Sequence, residues 1–377
     1  MESILNSLYY IVPFIILLGV LVFVHEFGHF LIARLCGVRV TDFSIGFGKE
    51  LWSRTDKHQT RWKICAVPLG GYCQFLGDAN GASAGDDNEV IQALSEEDKK
   101  HAFFTQNPWK KLAIVLGGPG FNYLFAVLVF AVMFMSLGRL TFPPVVGDVV
   151  KDGAAFEAGI LKGDRIIEVN SHKIKNFSDI STEISLVTDG RAKVKLKRGD
   201  EILDFDIELK NVEVEEDGAV SKRPMLGIKS QSSVELDHER LNPAEAFAEA
   251  GYETYRITVG TLRGIKQMIT GERGTEDLGG ILRIAEMSGD ISKKHGLIDF
   301  LAFMALLSIN LGLINLFPIP VLDGGHVVIF VIEIITRREI NEKVKEILFK
   351  CGFALLIALM IFATWNDIVH LFKRWFA

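Results

Sequence analysis

The sequence predicts a polytopic α-helical membrane protein with four transmembrane helices, a cytoplasmic-side β-hairpin and one extracytoplasmic β-rich domain. The 377 residues exceed what one small core needs. Hydrophobic residues make up 49% of them, yet 23% are charged. That mixture excludes a disordered chain, a collagen-like repeat and an evenly composed soluble enzyme. Four long apolar stretches alternate with charged stretches, and two segments in the middle of the chain alternate strictly between apolar and polar residues.

The four stretches are residues 9–33, 112–138, 300–317 and 349–364. The first is apolar except for His25, Glu26 and His29, and the second carries no charge. The third contains Asn310 and Asn315, and the fourth is the shortest. The first stretch is read as a retained helix rather than a cleaved leader, since it has no basic start and no small-residue cleavage site and runs too long. A backbone exposed to lipid must satisfy its own hydrogen bonds, so all four are predicted helices. Arg34, Arg39, Lys110 and Lys111 flank the loop between spans one and two, and Arg337, Arg338, Lys343 and Lys345 lie between spans three and four. Both loops are therefore expected on the cytoplasmic side, with both termini and the 139–298 region on the other.

The first loop opens with apolar positions Phe43, Ile45 and Phe47 and resumes with Trp62 and Ile64, the pattern of a β-hairpin in which Gly46 and Gly48 permit close backbone approach. The acidic, small-residue stretch from Asp78 to Asp98 reads as a mobile loop. Farther on, Lys193-Val194-Lys195-Leu196-Lys197 and the run from Ile202 to Leu209 form two half-buried strands joined at Gly199-Asp200. The run from Ala158 to Asn170 ahead of them resembles a stretch of PDZ domains, with a helix expected over 178–187. Residues 211–240 read as a polar connector, and from Asn242-Pro243 onward apolar residues recur at helical spacing.

His25-Glu26-Phe27-Gly28-His29 carries the chemistry. Residues four apart share a helix face, so both imidazoles can ligate one ion with Glu26 beside them as proton carrier. His25 lies about 22 Å along a helix that crosses a hydrocarbon core of about 30 Å. A carboxylate at that depth costs on the order of 3 kcal/mol, so three ionisable groups there need a compensating cation. A catalytic zinc needs a third protein ligand and an open position. Asp323 is the carboxylate of the apolar run from Asn315 to His326, where Pro318 and Pro320 interrupt the helix and allow the chain to turn back. Asp323 is the third-ligand candidate and His326 a weaker one. A competing reading has Asp323 cap a helix over 325–335.

Taken together, His25-Glu26-Phe27-Gly28-His29, Gly117-Gly118-Pro119-Gly120-Phe121-Asn122 and Leu322-Asp323-Gly324-Gly325-His326 resemble the site-2 protease family of intramembrane zinc metalloproteases. The likeness is to the bacterial regulator of sigma-E protease (RseP) type. It extends over Phe43-Ser44-Ile45-Gly46-Phe47-Gly48, Pro68-Leu69-Gly70-Gly71-Tyr72, the PDZ-like domain and the run from Asn315 to Asp323. The resemblance implies one zinc ion per chain bound by His25, His29 and Asp323, with Glu26 activating water. It places Asn122 and Asn315 near the substrate, and the hairpin around Gly46 and Gly48 as an edge for an unwound substrate. It further implies the bacterial inner membrane, an active site toward the cytoplasm, and a single-span membrane protein such as an anti-sigma factor, or a remnant signal peptide, as substrate after another protease has trimmed it. One PDZ-like unit fits here where many relatives carry two, and Gly279-Gly280-Ile281 lacks the proline that relatives commonly have after the glycines.

The resulting organisation is a first span at 1–37, hairpin and acidic loop at 38–110, a second span at 111–140, the PDZ-like domain at 141–230, a connector with amphipathic helix at 231–298, a third span with the Asp323 segment at 299–336, and a fourth span and tail at 337–377. Two other readings compete: an ion- or proton-coupled transporter using the intramembrane His and Glu, and a non-catalytic membrane-anchored PDZ scaffold. The net charge of −6 gives no support for nucleic-acid binding.

Overall fold

A computed structural model describes residues 2–78, 94–140, 143–216, 219–230, 238–239, 241–271, 274 and 279–376. The acidic loop expected after Asp78 lies outside the described residues over 79–93. Among the described residues, four helices are long and apolar enough to cross a membrane, with candidate spans at Tyr9–Leu35, Pro108–Leu137, Leu297–Asn315 and Lys343–His370. They belong to helices α1 (Glu2–Leu35), α2 (Pro108–Leu137), α6 (Leu297–Asn315) and α8 (Glu342–Phe376), where the intervening labels go to α3 (Phe177–Ser185), α4 (Pro243–Ile269), α5 (Ile281–Lys294) and α7 (Asp323–Thr336). The last helix outruns the expected 349–364. Its entrance is extended by a Lys350–Glu346 pair one turn apart at 2.7 Å.

The chain divides into two compact units. One comprises residues 1–131, 247–258 and 278–367, and the other residues 132–246, 259–277 and 368–377. In the first unit, strands β1 (Val40–Thr55) and β2 (Arg61–Phe75) form an antiparallel hairpin. The hairpin packs against α1 through an aromatic cluster in which Phe30, Phe43, Phe75 and Phe103 are buried and Trp62 is partly buried. The other end of α1 packs on α6, where Leu17 and Leu21 meet Phe300, Phe303 and Met304. Helix α5 was not foreseen. It lies along α1, with the Tyr10 hydroxyl donating to Asp290 at 3.1 Å and the Tyr10 ring against Gly289. Its first turn is capped from α8 by Asp367, a buried carboxylate that accepts from the backbone N–H groups of Gly280 at 2.7 Å and Leu282 at 3.0 Å.

The second unit is β-rich. Strands β4 (Arg165–Val169), β5 (His172–Lys173), β6 (Arg191–Arg198) and β7 (Glu201–Glu208) form a sheet in the order β5-β4-β6-β7. Alternating inward residues Ala192, Val194 and Leu196 fill a core with Ile166, Val169, Ile180 and Ile207. Strand β3 (Val146–Val149) opens the domain. The segment read as a polar connector is structured over its first half. Strands β8 (Lys210–Glu216) and β9 (Ala219–Met225) form a hairpin, and β10 (Ile228–Ser230) pairs antiparallel with β3. The weak alternation of Val212 and Val214 among charges, and Pro224 inside a strand, hid these elements.

Candidate metal centre

Three of the expected ligands converge. Helix α1 presents His25 and His29 one turn apart, and their Nε2 atoms are 3.3 Å from each other. Asp323 comes from the first turn of α7, with Oδ2 3.2 Å from His25 Nε2 and Oδ1 3.5 Å from His29 Nε2. A tetrahedral zinc with bonds of about 2.0–2.1 Å has ligand atoms about 3.3 Å apart. The two imidazole nitrogens and the Asp323 carboxylate thus outline one face of such a tetrahedron.

Hydrogen bonding decides between a cation site and a simple ion pair. His29 Nδ1 lies 2.9 Å from the Ile114 carbonyl oxygen, which can only accept, so the Nδ1 carries the proton and Nε2 keeps its lone pair in the neutral imidazole. Asp323 Oδ2 is buried and accepts no hydrogen bond of good geometry from the described residues. Asn122 contacts His25 Nδ1 at 3.0 Å through its amide, whose other end, Oδ1, is buried without a partner among the described residues. Exchange of the amide O and N turns Oδ1 toward Nδ1, where it accepts that proton and frees His25 Nε2 as well. Three acceptor atoms then face one point, an arrangement that repels itself without a cation and fits a divalent metal.

Small residues make the room. A Cβ at Gly118 would collide with the His29 imidazole Nε2 and lie 2.8 Å from His25 Cε1. One residue earlier, Gly117 meets Gly28 backbone to backbone, so α1 and α2 cross without side chains between them. Between α6 and α7 the chain turns through 316–322, where the N–H of Leu322 donates to the Ile319 carbonyl at 2.8 Å. A Cβ on Gly324 would strike the Phe317 carbonyl, so this glycine lets the turn fold onto the helix that carries Asp323. The competing reading of Asp323 as a cap fails: α7 begins at Asp323 itself, and its cap, Leu322, makes no side-chain bond.

The ligands open on a cavity of about 890 Å³ that also contains Glu26, Phe47, Tyr72, Phe103 and His326. The Cys73 backbone amide is turned toward the Glu26 carboxylate. Asn315 Nδ2 is 3.5 Å from His25 Nε2, at the edge of the ligand set. Asn122 is fully buried behind His25. Gly46 and Gly48 have φ of +87° and +84°, a backbone that side chains disfavour. It is Phe47 between them that reaches the cavity. His326 packs its ring on Phe349, centroids 5.2 Å apart, and is not one of the converging ligands. Sequence reasoning missed the Ile114 carbonyl, the Cys73 amide and the role of Gly118. Only Gly118 left a signal, as part of a Gly-Gly-Pro run inside an apolar helix.

Comparison with known proteins gives a consistent result. A family model described as peptidase family M50 matches residues 13–359. A protein of Rhizobium meliloti (strain 1021) described as a zinc metalloprotease is 38% identical over 375 residues, which cover 99% of this chain and 100% of that protein. One from Agrobacterium fabrum (strain C58), described likewise, is 39% identical over 364 residues, 96% of each chain. One from Campylobacter jejuni is 35% identical over 356 residues, 94% of this chain and 92% of its own.

Proposed function

The chain belongs to peptidase family M50, and from that premise we propose that this zinc metallopeptidase cuts a peptide bond within the transmembrane segment of a single-span membrane protein already trimmed by another protease. An anti-sigma factor or a remnant signal peptide has the required form. The observation that carries the reading is the His25–His29–Asp323 triangle beside Glu26, with both imidazoles and Glu26 on a helix long and apolar enough to lie in a bilayer.

A zinc ion in that triangle supplies Lewis acidity and lowers the pKa of water to about 7. His25, His29 and Asp323 would hold the ion, while Ile114 and Asn122 fix the imidazoles from behind. Glu26 takes the proton from water as it attacks the scissile carbonyl and delivers it to the leaving nitrogen. A substrate helix hides its carbonyls in hydrogen bonds, so it must unwind locally before attack. The β1–β2 hairpin offers main-chain groups to the freed strand, with Phe47 and Tyr72 lining the same cavity. Asn315, beside His25, can hold a freed peptide group.

The β-rich unit is read as a PDZ-like domain that filters substrates by size or reads their trimmed tails. Lysine and arginine placement puts it and both termini outside the cytoplasm and the metal centre toward the cytoplasmic side of a bacterial inner membrane. The test is Glu26→Gln in detergent-purified protein given a model transmembrane substrate. Zinc content should stay at one per chain while cleavage falls about a hundredfold or more. Cleavage at the wild-type rate in that variant rejects the mechanism, and correctly folded protein without bound metal rejects the zinc site.

A further inference from the structure

At the end of α1 remote from its N-terminus lies a second cavity, of about 570 Å³, apart from the metal centre. Its wall includes Arg34, Arg39, Lys57, His58, Gln59 and His101, and it has no carboxylate in its lining. Two carboxylates stand behind the wall and aim the guanidinium groups. Asp56 takes Arg34 Nη2 at 2.9 Å, and Thr60 Oγ1 accepts from the same nitrogen at 2.8 Å. Asp98 takes Arg39 Nη1 at 2.7 Å. The Nε and Nη1 of Arg34, the Nε and Nη2 of Arg39 and the Lys57 ammonium have no acceptor among the described residues. Planar donors held in place with unused N–H groups suit an anionic oxygen cluster, above all a phosphate.

The surroundings say which phosphate. Arg34 stands in the last turn of α1, whose candidate span ends at Leu35. Leu35 is 74% exposed, and Trp109, in the first turn of the next span, is 63% exposed. Lys110 joins the two helix ends by donating to the Cys36 carbonyl at 2.9 Å. Cations at a span end beside an exposed Leu and an exposed Trp lie at the headgroup level of a bilayer. We propose that this cavity binds the phosphate headgroup of an anionic phospholipid, whose acyl chains run beside Leu35 and Trp109. Lys57 sits in the turn between β1 and β2, while Arg34 and Arg39 flank the end of α1, so one headgroup ties the hairpin to the helix that carries the metal ligands. The proposal does not depend on the peptidase assignment.

The test is a lipid titration of the full chain in detergent followed by native mass spectrometry, with phosphatidylglycerol, phosphatidylcholine and inorganic phosphate as separate probes. One phosphatidylglycerol should bind at least about fivefold more tightly than phosphatidylcholine. Each cation near a lipid surface is worth about 1 kcal/mol, so Lys57→Gln should weaken phosphatidylglycerol about fivefold. Lys57→Arg should restore it, and Lys173→Gln, in the β-rich unit, should change nothing. Lys57 makes no bond among the described residues, so its loss leaves the fold intact, which a melting curve checks. Equal binding of the two lipids overturns the proposal, as does an unaltered preference in Lys57→Gln. Inorganic phosphate that binds this chain as tightly as phosphatidylglycerol and displaces it overturns it in favour of a soluble anion.

Discussion

His29 Nδ1 and the Ile114 carbonyl oxygen lie 2.9 Å apart, so a backbone group of α2 sets the tautomer of an imidazole on α1. Carbonyls accept hydrogen bonds and cannot donate them. The partner therefore survives any substitution at position 114 that leaves the helix intact, and the ring is held in its metal-ready form without a side chain devoted to the task.

Asp323 closes the triangle, and its removal should show in metal content first. Asp323→Asn keeps the shape but offers a neutral, weaker oxygen. The variant should lose most of its zinc at stoichiometric loading, measured by elemental analysis, and cleavage should fall in parallel. Full zinc occupancy in Asp323→Asn would remove Asp323 from the ligand set.

Space at the site is as specific as charge. Gly118→Ala places a methyl group against the His29 ring. Metal affinity should fall by about 10- to 100-fold, the range for disturbed supporting groups around a metal, with helix content by circular dichroism unchanged. Asn122→Ala removes the contact to His25 Nδ1 and should produce a loss of the same order. A chelator competition assay measures both.

The β-rich unit contains a pH-sensitive pair. Burial alone raises the Asp164 carboxyl, but hydrogen bonds from the Arg198 guanidinium and the Leu161 amide outweigh it and hold the group below the usual carboxylate range. A depressed folded-state value adds stability above the unfolded value of about 3.9, and that stability is lost as pH falls through the folded value. Asp164→Asn should therefore lower the melting temperature of this unit near pH 7 by on the order of 5 °C. The gap to wild type should narrow below about pH 4. A constant gap down to strongly acid pH would contradict the assignment.

Asp367 supplies from α8 the cap that α5 lacks in its own sequence, because Gly280 has no side chain to offer. Asp367→Ala should cost about 1 kcal/mol, typical of a lost helix cap, and should speed amide exchange over 280–287 several-fold. Unchanged exchange there would show that packing against α1 alone holds the first turn.

His25, His29 and Asp323 were legible because ionisable groups in apolar helices are costly and their spacing is chemical. The hairpin and strands β6 and β7 were legible from alternation. Helix α5 was not, since it begins at Gly279-Gly280, is rich in charge, and owes its cap to a residue 87 positions away. Backbone partners such as Ile114 leave no trace in composition. The first half of the supposed connector became strands because β3 lends β10 an edge, a partnership no local window contains.

The contact of Gly28 with Gly117 has a mechanical consequence. With each glycine carbonyl resting on the other helix, the two rods cannot slip by even one residue, about 1.5 Å, without collision. The crossing acts as a detent that indexes one rod against the other. Ion loading can then be a late, reversible event after insertion, and a stripped enzyme should recover on simple readdition.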